Sequence, residues 1–161
     1  MIIIVMGVSG SGKTTTGKAL ANSLSWRFID ADDYHPVENV AKMASGEPLT
    51  DLDRIPWLNI LRQEIEIEIS QSGNMVVACS ALKDIYREIL APSPEVKFVF
   101  LSGSMELIYS RMRARKSHFM KSDMLASQFE ALEPPLDAVA VDISMSTSQI
   151  VEFVKQALLL T

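Results

Sequence analysis

Residues 7–14 read Gly7-Val8-Ser9-Gly10-Ser11-Gly12-Lys13-Thr14, which matches the phosphate-binding pattern G-x-x-x-x-G-K-[ST]. The stretch follows the apolar run Ile2–Met6 and precedes a segment with helical spacing of apolar residues. A buried strand, a glycine turn and a helix in that order can ring a phosphate with backbone N–H groups, and the helix adds the positive end of its dipole. A glycine- and serine-rich linker that happens to contain Lys-Thr would lack this context. The stretch therefore predicts a phosphate-binding loop, called the P-loop below.

Each position of the P-loop has an expected role in nucleotide binding. The Lys13 ammonium is expected on the β- and γ-phosphates of ATP, and the Thr14 hydroxyl is expected to be a ligand of Mg²⁺. The residues expected to bind the nucleotide are Gly7, Val8, Ser9, Gly10, Ser11, Gly12, Lys13, Thr14 and Thr15.

Length and composition favour one domain, residues 1–161, that acts on a small molecule. The chain has 161 residues and a formal charge of −5, with a sequence pI near 5.0. A nucleic-acid or anionic-membrane partner requires clustered surplus Lys and Arg, so neither is expected. Met1–Met6 is too short to span a membrane and lacks a basic lead-in, so a cytoplasmic location is predicted. The single cysteine, Cys79, allows no internal disulfide and is expected in the core.

Apolar runs and helical patterns alternate along the chain. The predicted strands are Ile2–Met6, Trp26–Ile29, Met75–Cys79, Val96–Leu101 and Val139–Asp142. The predicted helices cover residues 14–25, 37–44, 53–70, 80–90, 125–132 and 150–159, with one more from Ser104. This order predicts an α/β fold with a five-stranded parallel sheet, right-handed crossovers and helices on both faces.

Carboxylates follow the second predicted strand, where ligands bind in open α/β sheets. The third strand ends in Cys79-Ser80, so another acid must serve Mg²⁺. Asp30 and Asp32, two apart on an extended chain, point the same way. Asp30 is assigned to the metal, whereas Asp32 is expected to orient and deprotonate the acceptor hydroxyl. The alternative is that both aspartates cap the next helix or line a solvated loop.

Basic residues late in the chain are interpreted as a mobile lid at about residues 112–124. Arg111 and Arg115 are expected to offset charge on the nucleotide and the transferring phosphate, and spacing alone does not rank them. The alternative is a solvated helix end, since cations favour helix C-termini. His118 is a weaker candidate for the substrate, because an isolated His is more often structural.

Three further cations are candidates for holding an anionic substrate. The planar fork of Arg54 matches a carboxylate or phosphate, although a surface ion pair with Asp51 or Asp53 explains it equally well. Lys83 and Arg87 lie one helical turn apart and point either into the site or into water.

Several longer stretches resemble the gluconokinases, small kinases of the shikimate-kinase-like branch of the P-loop fold, nearly from end to end. They are Phe28–Pro36 (FIDADDYHP), Lys42–Leu49, Asp51–Leu58 (DLDRIPWL), Cys79–Lys83 with Tyr86-Arg87, Ala114–Met120 and Ser127–Glu133. The P-loop and the aspartate pair occur in many kinases, whereas His35-Pro36, Pro56-Trp57 and His118-Phe119 are more specific. Ala31 and Ser117 stand where glycine is expected in this family.

The resemblance implies a specific reaction and partners. It implies ATP-dependent, Mg²⁺-dependent phosphorylation of D-gluconate to 6-phospho-D-gluconate by a cytoplasmic enzyme that is often a homodimer. It also favours Arg54 as a ligand of the substrate carboxylate, and it adds His35 to the candidates for contact with the substrate.

Two alternatives to gluconate phosphorylation stay open at this point. One is another small-metabolite kinase of the same fold, such as a shikimate or nucleotide kinase. The other is a non-catalytic nucleotide-binding module, which Asp32 and the lid arginines disfavour.

Overall fold

The computed structural model describes residues 1–115 and 122–161 of the chain. It contains a five-stranded sheet built from β1 (Ile2–Met6), β2 (Arg27–Asp30), β3 (Met75–Ala78), β4 (Val96–Ser102) and β5 (Val139–Asp142). The strand order is β2-β3-β1-β4-β5, and every neighbouring pair is parallel. The predicted parallel sheet is confirmed, and β1, which leads into the P-loop, lies at its centre.

The central strand is buried on both faces, as its unbroken apolar sequence indicates. Ile3 and Val5 point into one hydrophobic core, whereas Ile2, Ile4 and Met6 point into the other. All five side chains are fully inaccessible to solvent. Because strand side chains alternate between faces, each core is covered by a separate set of helices.

Helices cover both faces of the sheet. They are α1 (Lys13–Leu24), α2 (Val37–Ala44), α3 (Asp51–Ser70), α4 (Asp84–Leu90), α5 (Met105–Ala114), α6 (Ser122–Ala131) and α7 (Thr147–Ala157), with a 3₁₀ turn at Ala31–Tyr34. Residues of α1, α5, α6 and α7 pack into the core that holds Ile3, and residues of α3 and α4 pack into the core that holds Ile4.

Several helix starts differ from the sequence prediction, and two of the differences have a clear local cause. The predicted helix from Ser80 begins only at Asp84, because Ala81 has a left-handed φ of 44° and Lys83 is extended. The last helix begins at Thr147 rather than near Ile150, because Ser146 and Gln149 form a capping box, with hydrogen bonds of 3.2 and 2.9 Å. Both differences lie at helix ends, where local hydrogen bonds decide the boundary.

Within the described ranges, none of the helices is long and apolar enough to cross a bilayer.

Candidate active site

The P-loop has a backbone that only glycine adopts easily at three positions. Gly10 and Gly12 have φ of 78° and 96°. A Cβ on Gly10 would lie 2.6 Å from Cγ of Met112, so this glycine lets α5 pack directly against the loop. A Cβ on Gly7 would lie 2.8 Å from Ser11 Oγ and 3.0 Å from the Leu101 carbonyl oxygen. The glycines therefore close the loop against β4 and α5.

The groups of the loop fit a bound phosphate. The N–H groups of Gly12, Lys13 and Thr14 find no acceptor in residues 1–115 and 122–161. The Ser11 hydroxyl is buried and likewise has no hydrogen-bond partner within those ranges. Buried polar groups are normally paired, so this set of donors at the N-terminus of α1 is suited to an anion.

Lys13 extends back along the loop. Its Nζ donates a hydrogen bond of 3.0 Å to the Val8 carbonyl oxygen. Burial lowers the pKa of Lys13, while the charges of Asp32 and Asp30 oppose that shift. The lysine is thus close enough to both aspartates for their charges to stabilise it.

The two residues assigned to Mg²⁺ are in direct contact. Thr14 Oγ1 donates to Asp30 Oδ2 over 2.8 Å, and Asp30 Oδ1 accepts from the Asp32 N–H over 3.0 Å. No group of three or more His, Cys, Asp or Glu side chains that could hold a metal occurs in the described part of the chain. Mg²⁺ in kinases is bound by one or two protein oxygens, water and substrate phosphates, so the Thr14–Asp30 pair fits it.

Asp32 is open to an acceptor molecule. Its side chain is 86% exposed, yet the surrounding protein removes part of its hydration. This desolvation, and then the charge of Asp30, raise the pKa of Asp32 above its ordinary value of 3.8. Lys13 and His35 act in the opposite direction.

His35 links Asp32 to the helical segment beyond it. Its Nε2 lies 3.9 Å from Asp32 Oδ1, and its ring stacks on Trp57 at a centroid distance of 4.1 Å. Desolvation lowers the pKa of His35, so a neutral ring is favoured. Trp57 is buried and donates from Nε1 to the Ala31 carbonyl oxygen over 2.7 Å, which supports a packing role for this ring.

Asn39 sets the tautomer of the His35 ring. Its Nδ2 donates to the Asp53 carbonyl oxygen over 3.0 Å, an acceptor that identifies this end of the amide as the NH₂ group. The same Nδ2 lies 3.4 Å from His35 Nδ1. A neutral His35 that accepts at Nδ1 carries its proton on Nε2, the nitrogen that faces Asp32.

Arg54 and Lys83 lie together around Asp51 and Tyr86. Lys83 Nζ donates to both Asp51 carboxylate oxygens, at 2.9 and 3.2 Å. The Tyr86 hydroxyl donates to Asp51 and accepts from Arg54 Nη1 over 3.1 Å. These bonds lower the pKa of Asp51 and raise that of Lys83. The ion pair weighed for Arg54 is instead made by Lys83 with Asp51 and by Lys42 with Asp53.

One edge of the Arg54 guanidinium is held, and the other is available. Nη1 donates to the Leu49 carbonyl oxygen over 2.8 Å as well as to Tyr86. For Nε and Nη2, no acceptor occurs in the part of the chain that the structure describes. That edge carries two parallel N–H groups, the geometry that binds a carboxylate at two points.

Arg87 lies away from this arrangement. It is buried and donates to the carbonyl oxygens of Ala81 and Glu133, each over 2.7 Å, and to the Asp84 carboxylate. These contacts join the β3–α4 loop to the end of α6. They support a structural role, and contact of Arg87 with substrate stays a prediction.

The lid candidates are only partly described. Arg111 lies on α5, and its charge adds to the hydrogen bonds from Ser144 that lower the pKa of Asp142 at the end of β5. Arg115 is exposed directly after that helix. His118 and the middle of the expected lid, residues 116–121, lie outside the described residues. The contact between Met112 and Gly10 places the last turn of α5 beside the P-loop.

Sequence reasoning gave no role to four polar side chains that the structure brings into the site. They are Asn39, Asp51, Tyr86 and Gln128, whose partners are described here and below. Asp51 was named only as an alternative ion-pair partner of Arg54. Asp51, Tyr86 and Gln128 lie inside the stretches that carry the family resemblance and Asn39 lies between two of them, but neither position reveals a contact.

Comparisons with known proteins agree with the geometry. The family profile described as shikimate kinase matches residues 9–158. A protein from Mus musculus named probable gluconokinase is 43% identical and covers 98% of this chain and 97% of its own length. The thermosensitive gluconokinase of Escherichia coli K12 is 45% identical, over 97% of this chain and 86% of that protein.

A solved structure gives the same result. The crystal structure of a gluconokinase from Sinorhizobium meliloti 1021 superimposes with a TM-score of 0.88 at 42% identity. The match covers 98% of this chain and 90% of that one. These identities, over nearly the whole length, are far above the level at which only the fold is shared.

Proposed function

Because the chain belongs to the gluconokinase family, we propose that it transfers the γ-phosphate of ATP to D-gluconate and forms 6-phospho-D-gluconate and ADP. The observation that carries this proposal is the geometry of the site. The P-loop has N–H groups without an acceptor among the described residues, and the exposed Asp32 carboxylate lies 3.9 Å from His35 Nε2. The Arg54 guanidinium has an Nε/Nη2 edge for which residues 1–115 and 122–161 offer no acceptor.

The P-loop holds the phosphates of ATP. The N–H groups that lack an acceptor among the described residues and the Ser11 hydroxyl donate to the anion, and the Lys13 ammonium moves from the Val8 carbonyl oxygen to the β- and γ-phosphates. Thr14 and Asp30 would hold Mg²⁺, which supplies neutralisation of the phosphate charge when bound. Arg111 and Arg115 are proposed to add positive charge from the lid side.

Asp32 acts on the acceptor hydroxyl. Its carboxylate accepts the proton as the gluconate oxygen forms a bond to the γ-phosphorus, and the bond from phosphorus to the β–γ bridging oxygen breaks with its electron pair leaving on ADP. The Nε2–H of His35 faces the same carboxylate and orients it. Phosphoryl transfer depends mostly on such positioning and on charge neutralisation.

Arg54 and Lys83 bind the carboxylate of gluconate. The free Nε/Nη2 edge of Arg54 pairs with both carboxylate oxygens, while Tyr86 and Leu49 hold the other edge in place. Lys83 adds a second charge from the β3–α4 loop. A hydroxyl acceptor without a carboxylate would leave the Nε/Nη2 edge of Arg54 without its partner, so it is a poorer substrate.

The test is ADP release with a panel of acceptors. We expect turnover with gluconate, less with other sugar acids, and little with shikimate, nucleosides or a neutral polyol. The Lys13→Ala variant should stay folded by circular dichroism and lose transfer, since Lys13 neutralises phosphate charge. ATP binding without turnover on any acceptor would instead establish a nucleotide-binding module, and preference for shikimate would establish a different kinase.

Substitution of Arg54 tests most directly whether the enzyme binds its substrate through a carboxylate. A charge-assisted hydrogen bond contributes about 1.5–3 kcal/mol, so Arg54→Ala should raise the gluconate KM roughly ten- to a hundredfold, with little effect on the ATP KM. Arg54→Lys keeps the charge but loses the fork and should also weaken gluconate binding. Arg62→Ala, on the same helix and paired with Glu66 at 2.8 Å, is the matched control and should change neither KM. An equal loss for gluconate and a neutral polyol would exclude the carboxylate contact.

We also propose a cytoplasmic location and a homodimer. ATP is supplied in the cytoplasm, and several apolar side chains of α2 and α3 are exposed, including Val37 at 82% and Leu52 at 79%. Light scattering of the purified protein tests the dimer. A monomeric mass at micromolar concentration would exclude it there.

A further inference from the structure

Gln128 on α6 makes a two-point contact with the P-loop. Its Oε1 accepts from the Ser9 backbone N–H over 2.7 Å, and its Nε2 donates to Ser9 Oγ over 3.2 Å. A backbone N–H can only donate, so it determines which end of the amide faces it. The two residues are 119 positions apart in the chain.

Ser9 lies in the half of the P-loop that the start of α1 does not hold. The Val8–Ser9 peptide is held within the loop at its carbonyl oxygen, which accepts from the Ser11 N–H over 3.2 Å and from Lys13 Nζ over 3.0 Å. Its other end, the Ser9 N–H, is held from outside the loop by Gln128. The Lys13 bond is lost when that ammonium moves to the phosphates, and the next residue, Gly10, has a left-handed φ of 78° and changes conformation at low cost. The Gln128 contact therefore restrains the half of this peptide that the loop itself leaves unheld.

The far end of α6 is anchored on the acceptor side of the site. The Glu133 N–H donates to the Leu82 carbonyl oxygen over 2.8 Å, and Glu133 Oε1 accepts from the Asp84 N–H over 2.7 Å. Both partners flank Lys83. The segment from Gln128 to Glu133 thus connects the P-loop to the loop that carries a proposed carboxylate ligand.

We propose that Gln128 is a positioning residue for nucleotide binding: its side-chain amide holds the Ser9 peptide so that the P-loop is formed before ATP arrives. This inference rests on the proposed function only for the identity of the acceptor. It concerns the nucleotide half of the site, and its effect is measurable without any acceptor. Preorganisation of this kind improves affinity because ordering of the loop no longer opposes binding.

Two substitutions separate the amide from the bulk of the side chain. Gln128→Met keeps the length and packing of the stem but removes both hydrogen bonds. Gln128→Glu keeps an acceptor for the Ser9 N–H but adds a negative charge beside the phosphate site. Ser127→Ala is the matched control: this neighbouring residue is exposed, and among the described residues its hydroxyl bonds only to the Met124 carbonyl oxygen within α6.

The measurement is MgADP binding by calorimetry, followed by the ATP and gluconate KM values and kcat. Each lost hydrogen bond corresponds to roughly two- to twelvefold in affinity, so Gln128→Met should weaken MgADP binding and raise the ATP KM about tenfold. The gluconate KM and kcat should change far less. Gln128→Glu should weaken MgADP binding further, because its charge repels the phosphates. Ser127→Ala should bind MgADP as tightly as the parent protein does.

A double-mutant cycle with Ser9→Ala tests the contact itself. Ser9→Ala removes one of the two bonds and should weaken MgADP binding by less than Gln128→Met does, with little further loss when the two are combined. MgADP affinity of Gln128→Met within about twofold of the parent protein, a difference well below one hydrogen bond, would overturn the proposal. Equal rises in the ATP and gluconate KM values would do so too. Absence of gluconate turnover in the parent protein would contradict the proposed function, but the MgADP affinities of the variants would still test the role of Gln128.

Discussion

Asp32 is the residue at which exposure and electrostatics combine most directly. Its carboxylate is accessible to an acceptor, and desolvation together with the Asp30 charge raises its pKa above 3.8. A general base must be deprotonated to accept a proton. Activity should therefore be complete above the raised pKa and fall as the pH decreases through it.

The pH dependence of Asp32 gives a residue-scale prediction. The acid limb of kcat/KM for gluconate should lie above pH 3.8, and Asp32→Asn should lower kcat by at least about a hundredfold and remove this limb. Steady-state rates at saturating Mg²⁺ check both effects. In the metal-free protein, where the Asp30 carboxylate has no bound cation, Asp30→Asn should lower the pKa of Asp32 because the repelling charge is gone, and NMR titration of the Asp32 carboxyl measures this shift. An Asp32 pKa that Asp30→Asn leaves unchanged would contradict the coupling of the two carboxylates.

The N-terminus of α3 shows how one element is held in position. Thr50 Oγ1 accepts from the Asp53 N–H over 3.1 Å, and Asp53 Oδ2 accepts from the Thr50 N–H over 2.8 Å, which forms a capping box. Lys42 Nζ on α2 also donates to Asp53 over 2.7 Å. Arg54 follows Asp53 directly, so this cap fixes the backbone position from which the Arg54 side chain extends.

The cap predicts a specific pH dependence of stability. The Lys42 and Thr50 hydrogen bonds lower the pKa of Asp53 from 3.8 to about 2. A lowered folded-state pKa stabilises the fold above the unfolded value, so the contribution should be complete above about pH 4 and lost as the pH falls through about 2. Urea unfolding should show Asp53→Asn less stable than the parent protein at pH 7, with the difference disappearing in acid.

Asp137→Asn is the control for Asp53. Asp137 is exposed, and no hydrogen bond or ion pair of its side chain occurs among the described residues. Its substitution should change the free energy of unfolding by less than about 0.5 kcal/mol at any pH. If the difference in the free energy of unfolding between the parent protein and Asp53→Asn were independent of pH, packing rather than the carboxylate would stabilise this end of α3.

At the scale of the whole molecule, Arg87 joins parts of the chain that are distant in sequence. Its guanidinium bonds the Ala81 carbonyl oxygen in the β3–α4 loop and the Glu133 carbonyl oxygen after α6. Its side chain is 7% exposed, whereas that of Asp84 is 67% exposed. Most of its contribution therefore comes from buried bonds to backbone oxygens rather than from the ion pair.

Arg87 should matter more for stability than for substrate binding. Removing a donor from buried acceptors costs about 1–3 kcal/mol for each acceptor, so Arg87→Ala should lower the free energy of unfolding by at least about 2 kcal/mol. The gluconate KM should change less than it does in Arg54→Ala. Urea unfolding and steady-state kinetics on the same preparation measure both quantities.

A surface arginine provides the comparison for Arg87. Arg113 is exposed and lies 5.9 Å from the Tyr109 ring, so Arg113→Ala should change stability by less than about 0.5 kcal/mol. If Arg87→Ala left stability unchanged and raised the gluconate KM as strongly as Arg54→Ala, Arg87 would be a substrate ligand after all.

The sequence by itself determined the sheet and the family, and it predicted which residues form the phosphate end of the site. Strands β1 and β5 were predicted to the residue, whereas Thr14 and Asp30 were named separately as metal ligands and the structure shows them in contact. These features depend on neighbouring residues: apolar runs, glycines at left-handed positions and carboxylates two apart. The interactions that produce these features involve residues close together in the chain, so the sequence pattern is enough to predict them.

Only the tertiary structure decided which of the scattered polar side chains meet. The start of α4 depends on the left-handed Ala81 and on the Glu133 bond to the Asp84 N–H, and the free edge of Arg54 depends on Tyr86, 32 positions away. Gln128 and Ser9 are farther apart still. A hydrogen bond requires two atoms within about 3 Å and suitably aligned, and no sequence spacing determines that geometry once the chain crosses the sheet.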